Sequence, residues 1–284
     1  MLKYLEDYCR LFQCCWLIVL LSLCAPPLAT PYFRDSGLMD IPTGAVIEHG
    51  IVDVGTNFAF LNRTGIPREE TAIRLNFGIF DRVEFGIASV QLNQKSFLMA
   101  NLKLLLVREA GKMPNVAVGV ENIGDEIKQG LIDTMQYKRK STFLAVSKTF
   151  NLPRVHQISG HIGIGNNRFS EDRGIGKILN GVFIGISKDF QPRFAKGELT
   201  LCLETDGRGV NAGVRHRGNT GLQIYLGAEA LDAPASDEKE SRYVIGVSWS
   251  NREIMRQIAE AKRLAKQAGR LATEAKSAVK TGKE

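Results

Sequence analysis

The stretch Asn76 to Ile87, N-F-G-I-F-D-R-V-E-F-G-I, carries two apolar runs joined by a tight Asp81-Arg82 turn. Ahead of the turn Ile73, Leu75, Phe77 and Ile79 fall on one side, and Arg74, Asn76 and Gly78 on the other. Beyond it Val83, Phe85 and Ile87 oppose Glu84 and Gly86. A period of two with a turn between the runs is the signature of a β-hairpin. One face is uniformly apolar and the other is Gly or charged, so the apolar face needs either a second sheet or lipid to cover it.

The same design recurs outward in both directions. Upstream, Val52, Val54, Phe58 and Phe60 share a face against Asp53, Gly55 and Asn57. Downstream, Leu102, Leu104 and Leu106 alternate with Asn101 and Lys103, and Val116, Val118 and Val120 with Gly119 and Glu121. Alternation returns around Ile162, Ile184, Leu201, Val214, Ile224 and Ile245, and less regularly from Ser141 to Lys148. The expected fold is all-β: a closed antiparallel transmembrane β-barrel of about 12 strands over residues 50–250, with an N-terminal signal segment and a C-terminal amphipathic helix. Its connections fit that topology. Short turns at Asp81-Arg82 and Arg217 to Thr220 lie at one rim, and long polar segments at 61–70, 122–140, 166–179 and 232–241 lie at the other. Asp206-Gly207, a tight hairpin signal, is the exception among the long ones. A soluble sandwich is the alternative, since period two does not say what covers the apolar face.

A hydrophobic content of 44% over 284 residues is too low for a bundle of membrane helices and fits a barrel in which alternate residues meet lipid. Many of the 28 glycines fall inside alternating runs, where they weaken a strand and so imply a shortage of space on that face. The net charge of +7 sits mostly beyond Asn251, where nine Lys and Arg face four Glu, and the nearly neutral body shows no basic stripe with aromatics, which argues against nucleic acid. Four of the five cysteines precede residue 25, leaving Cys202 alone in the body, so neither a disulfide framework nor a Cys-based metal site is expected.

At the N-terminus the apolar run Leu11 to Leu23, followed by small residues to Ala29, reads as a cleaved signal peptide over residues 1–29. An uncleaved anchor and lipidation at Cys24 are the alternatives. Residues 30–49 contain Pro42 and read as an extended lead-in. After Trp249, Ile254, Ile258, Ala261, Ala265, Ala268, Ala272, Ala275 and Val279 recur at four-three spacing, which makes residues 251–284 a basic, periplasmic amphipathic helix. Its stripe is mostly Ala, with Gly269 midway, which works against strong coiled-coil self-association.

Four segments carry a resemblance: G-L-M-D-I-P-T-G-A-V-I-E-H-G (Gly37 to Gly50), F-G-I-F-D-R-V-E-F-G (Phe77 to Gly86), V-A-V-G-V-E-N-I-G (Val116 to Gly124) and L-E-T-D-G-R-G-V-N-A-G-V-R-H-R (Leu203 to Arg217). From Gly37 to Trp249 the chain resembles the YjbH-type exopolysaccharide-associated outer-membrane barrel family. The resemblance implies a bacterial outer-membrane barrel linked to exopolysaccharide production or export. The chain departs from that pattern in being much shorter than the large members and in carrying the basic tail.

The inward face would present Asp53, Arg74, Glu84, Lys103, Glu121, His161, Glu204 and Arg215. One reading is a conduit or cavity for a hydrophilic solute or polymer, with sugars suited to mixed donors and acceptors. The other is that these charges pair across a narrow lumen and fill it. Tyr243 and Trp249 bracket the last strand as membrane-interface aromatics. His161 lacks a motif linking it to a nucleophile and an acid, so the outer-membrane lipid hydrolase is the weakest reading; no enzyme activity, cofactor or metal is expected. A structural barrel whose helix docks the cell wall or an envelope protein is the further alternative. Outer-membrane lipid is the expected partner for the strands.

Overall fold

The computed structural model describes residues 36–61, 69–92, 95–124, 140–152, 156–170, 180–193, 196–207, 209–232 and 242–281. The signal segment and most of the long polar connections lie outside them. Twelve strands follow in order: β1 (Val52–Leu61), β2 (Glu69–Ile79), β3 (Val83–Leu92), β4 (Lys95–Val107), β5 (Asn115–Gly124), β6 (Ser141–Leu152), β7 (His156–Gly165), β8 (Val182–Phe190), β9 (Glu198–Thr205), β10 (Val210–Arg217), β11 (Leu222–Glu229) and β12 (Arg242–Ser250). Each pairs antiparallel with its sequence neighbours, and β1 closes on β12, with Asp53 opposite Ser250 and Leu61 opposite Arg242. Closure removes both sheet edges, so every strand finds its backbone partners within the ring.

The pleat then sorts the side chains. Leu102, Leu104, Ile162, Ile184, Leu203 and Ile224 are exposed on the outer surface. Asp53, Asn57, Arg74, Asn76, Glu84 and Lys103 are buried inside. The apolar face read from Asn76 to Ile87 is therefore the exterior of a closed ring. A sandwich would have packed it against a second sheet.

The rim where β1 begins and β12 ends, the near rim, carries only short connections. At the first of them Arg82 N–H donates to the Ile79 carbonyl at 3.0 Å, with Phe80 and Asp81 both at positive φ (53° and 54°). This is the mirror-image turn whose twist suits a hairpin, and it spans Phe80 to Arg82. The far rim departs from the sequence expectation at a second place besides Asp206-Gly207: only two residues separate Leu92 from Lys95. The alternation of loop lengths is correspondingly looser than the sequence suggested.

Within the segment read as an extended lead-in, residues 36–47 form a loop inserted into the barrel from the near rim. Leu38 N–H donates to the Ile41 carbonyl at 3.2 Å and Gly37 bridges Pro42, which closes the loop tip. Ser36 through Gly44 are all buried, with Met39 and Ile47 at 0% exposure. Helix α1 (Arg252–Thr281) follows β12 directly. Asn251 ties its start to the barrel, accepting the Val52 N–H at 2.8 Å and donating to the Gly50 carbonyl at 3.0 Å. Among the described residues no helix is long and apolar enough to cross a membrane.

Candidate functional site

The lumen is lined by the inward residues of all twelve strands, and the inserted loop occupies it. At its tip the N–H groups of Met39, Asp40 and Ile41 donate to the Glu204 carboxylate at 3.0, 2.6 and 3.3 Å. A buried carboxylate is costly unless its lone pairs are met, and three converging amides meet them. The tip side chains supply the apolar part of the contact. Leu38 and Ile41 pack with Phe143, Ala145, Phe169 and Phe183, while Met39 packs with Ala59, Tyr225 and Val244. Burying three such side chains is worth roughly 1.5–3 kcal/mol each, so the loop is firmly seated.

Wall glycines make the room. A Cβ on Gly185 would stand 2.6 and 2.7 Å from Leu38 and Ile41, and one on Gly78 would stand 2.2 Å from the Ile47 carbonyl. Gly163 and Gly165 vacate space for the rings of Phe183 and Phe169 in the same way, at 2.1 and 2.3 Å. The glycines inside the strands therefore mark where the lumen's contents press on the wall.

A second element enters from the far rim. A 3₁₀ turn, Asn167–Phe169, tucks Arg168 and Phe169 inward. Arg168 Nε donates to Glu121 at 2.7 Å, Nη2 to the Asp40 carbonyl at 2.9 Å, and Nη1 pairs with the Asp40 carboxylate at 3.3 Å. Its guanidinium lies 4.0 Å over the Phe169 ring, a cation–π contact. One side chain thus clamps the loop tip to the wall between Glu121 and the connection after β7.

Of the eight inward residues singled out from the sequence, Asp53, Arg74, Glu84, Lys103, Glu121 and Glu204 are buried, and His161 and Arg215 are half-buried. Two pairs form among them, Asp53 with Arg74 at 3.2 Å and Glu84 with Lys103 at 3.3 Å. Arg74 also donates to Asn57 at 3.2 Å and to the Tyr225 hydroxyl at 2.9 Å. Glu84 accepts from Ser36 Oγ and, at 3.0 Å, from Ile47 N–H, so both legs of the loop converge on one carboxylate. Lys103 Nζ donates to Ser36 Oγ at 2.6 Å. Glu121 and Glu204 find their partners outside the set of eight, in Arg168 and the loop backbone. Arg168, Asp40, Ser36 and Tyr225 were not singled out as site residues from the sequence, although strand parity puts Tyr225 on the inward face of β11. An Arg in a polar connection carries no periodic signal, and a loop's partner inside a barrel has none either.

His161 sits between two serines. Ser147 Oγ accepts the Gly44 N–H at 2.7 Å and is hydrogen-bonded to His161 Nδ1 at 2.8 Å. His161 Nε2 is hydrogen-bonded to Ser187 Oγ at 3.1 Å. Both ring nitrogens are thereby taken by hydroxyls, whereas a triad would put a carboxylate on one of them. On the outer surface Tyr243 is 53% exposed near the far end of β12, and Trp249, at the near end, donates from Nε1 to the Thr220 carbonyl at 3.1 Å. A cavity of about 740 Å³ opens at the near rim, lined by Arg193, Lys196, Arg217, Arg252 and Arg256 with Glu198 and Glu253. Among the described residues no group of three or more His, Cys, Asp or Glu is placed to hold a metal ion.

No protein-family model matches the chain, and no curated protein does. Solved structures similar to it include a KdgM porin (TM-score 0.43, 7% identity, 69% of this chain and 98% of that one covered) and a NanC porin (0.39, 11%, 70% and 98%). A third is the COG4313 outer membrane channel from Pseudomonas putida F1 (0.38, 13%, 75% and 100%). The strand pairing establishes the architecture without them: a closed barrel of twelve antiparallel strands with one helix at its C-terminal end.

Proposed function

We propose that the chain is a bacterial outer-membrane barrel that passes a hydrophilic solute, with residues 36–47 as an internal gate that holds it shut at rest. The outward band of Leu, Ile and Val on a closed ring supports the membrane placement. About nine or ten residues per tilted strand cover the roughly 25 Å that such a band needs. With β1 beginning and β12 ending at the near rim, we take that rim and α1 to face the periplasm.

The observation that carries the gating is the way the loop is held. Its contacts with Glu204, Glu84, Lys103 and Arg168 are made by lumen charges that would otherwise face water, and no strand pairing depends on it. Its withdrawal would leave a passage lined by Asp53, Glu84, Lys103, Glu204 and Arg215. Mixed donors and acceptors of this kind suit a hydroxyl-rich polymer, and the resemblance to exopolysaccharide-associated barrels supports the same substrate class.

The test is single-channel conductance in planar bilayers, comparing the intact protein with one whose residues 38–41 are replaced by alternating Gly and Ser. The intact protein should be silent or open rarely, and the replacement should conduct steadily while keeping the heat-modifiable gel migration of a folded barrel. The tightness of the packed tip favours a second reading, a structural barrel that displays α1. A folded replacement that never conducts would select it.

A further inference from the structure

Helix α1 leaves the barrel after one turn. From Arg256 onward every residue whose side chain is described is exposed, and Leu264 and Leu271 are 53% and 65% exposed. On a helix of 3.6 residues per turn these two leucines fall beside Ile254, Ile258, Ala261, Ala265, Ala268 and Ala272. The stripe is therefore wider than the four-three spacing alone suggested. An apolar stripe of this width, exposed from Ile258 to Ala272, is an unfilled interface.

The charges on its two edges differ in sign. In the seven-residue register that two paired helices adopt, Glu253, Glu260 and Glu274 run along the leucine edge, and Lys262 and Lys276 along the opposite edge. Arg256 and Arg270 sit behind the acidic edge, bound to Glu253 and Glu274 at 2.7 Å. The Arg256 hydrogen bond holds the Glu253 carboxyl below its ordinary range, so Glu253 stays charged at neutral pH. When two identical helices meet stripe to stripe and run parallel, the acidic edge of each faces the basic edge of the other. When they run antiparallel, like edges meet. We infer that α1 is a parallel self-association element, and that the partner covering its stripe is the same helix of a neighbouring copy in the membrane.

The membrane imposes the same direction. Barrels inserted alike project their helices to one side, so copies meet only in the parallel sense; this step rests on the outer-membrane reading above. Alanines at the contact let the axes approach to about 8 Å, with Leu264 and Leu271 as the larger contacts. So shallow a stripe gives little affinity in dilute solution. Confinement of the copies to one bilayer supplies the effective concentration that the stripe lacks.

The experiment uses the full chain in lipid vesicles, with its other cysteines replaced by Ser and Ala268→Cys as a disulfide reporter. Residue 268 meets its own counterpart in a parallel pair only near the stripe centre, so Ala268→Cys should cross-link while Lys266→Cys, on the far face, should not. The pair Glu260→Lys with Glu274→Lys makes both edges basic, and Lys262→Glu with Lys276→Glu makes both acidic. Each alone should cut the yield roughly five- to tenfold, and mixing the two should restore it. Charge variants that cross-link as well as the parent, or equal yields from positions 266 and 268, would overturn the inference. So would an α1 that stays single in neutral vesicles and is shielded only on anionic ones, which would make it a lipid-surface helix. A barrel that proved silent in every bilayer recording would leave this readout unchanged, so the two proposals fail separately.

Discussion

Arg168 satisfies two carboxylates and a carbonyl in a space closed to water, and the cost of removing it follows from what would be left behind. Glu121 and Asp40 would keep their charges without the guanidinium between them, and breaking a buried pair from one side costs about 3–5 kcal/mol. Arg168→Ala should therefore lower the temperature at which the folded gel band converts to the unfolded one, and Arg168→Lys should recover only part of the loss. Lysine supplies a point charge where a fork with three bonds is needed. A conversion temperature unchanged by Arg168→Ala would mean that the clamp contributes little to stability. Glu204 differs in kind, since apart from Asn211 Nδ2 at 3.4 Å its partners are backbone amides that no substitution in the loop removes except proline.

At the scale of elements, α1 and the barrel are nearly independent. Only the first turn touches the barrel, through Asn251, the Arg252 ion pair with Glu48, and Met255, whose Cε would lie 3.1 Å from a Cβ on Gly50. A chain ended after Arg256 should keep the heat-modifiable migration and the unfolding midpoint of the parent within experimental error; a marked fall in the midpoint would show that the helix braces the ring. The strands themselves were legible in the sequence because the covering medium imposes a strict period of two, visible in Ile73 to Ile79 and repeated to Trp249. The helix was legible as well, though Leu264 and Leu271 sit off the four-three pattern and were passed over. The inserted loop was not. Leu38, Met39 and Ile41 form no repeat, and Pro42 marks only an interruption. Their seats are recorded in Gly78 and Gly185 on other strands, and a missing side chain does not say what fills its space. Glu84, Lys103 and Glu204 were found because strand parity points them inward, whereas Arg168 and Asp40 lie on connections where parity does not apply.

For the whole molecule the deciding property is the sign of its surfaces: oily outside, charged inside. Substitution on the outer face should then cost according to depth. Ile245→Arg, near the middle of β12, should lower stability by about 2–4 kcal/mol in urea unfolding from lipid vesicles, while Leu222→Arg at the near rim should cost about 0–1 kcal/mol. Equal costs at the two depths would contradict a bilayer around the ring.

Both legs of the inserted loop pass Glu84 beside the Phe80 to Arg82 turn, so residues 36–47 enter and leave the ring by the same rim. They belong to none of the twelve strand pairings, so their withdrawal parts none of the seams. Traction on the chain ahead of Ser36 would load the Glu84 and Lys103 contacts first and the Glu204 contacts after them, peeling the holds one at a time. Held bonds that yield in series resist a pull far less than bonds that must break together. Tension applied to the loop from the near rim, with no solute bound, would therefore draw it out one contact at a time.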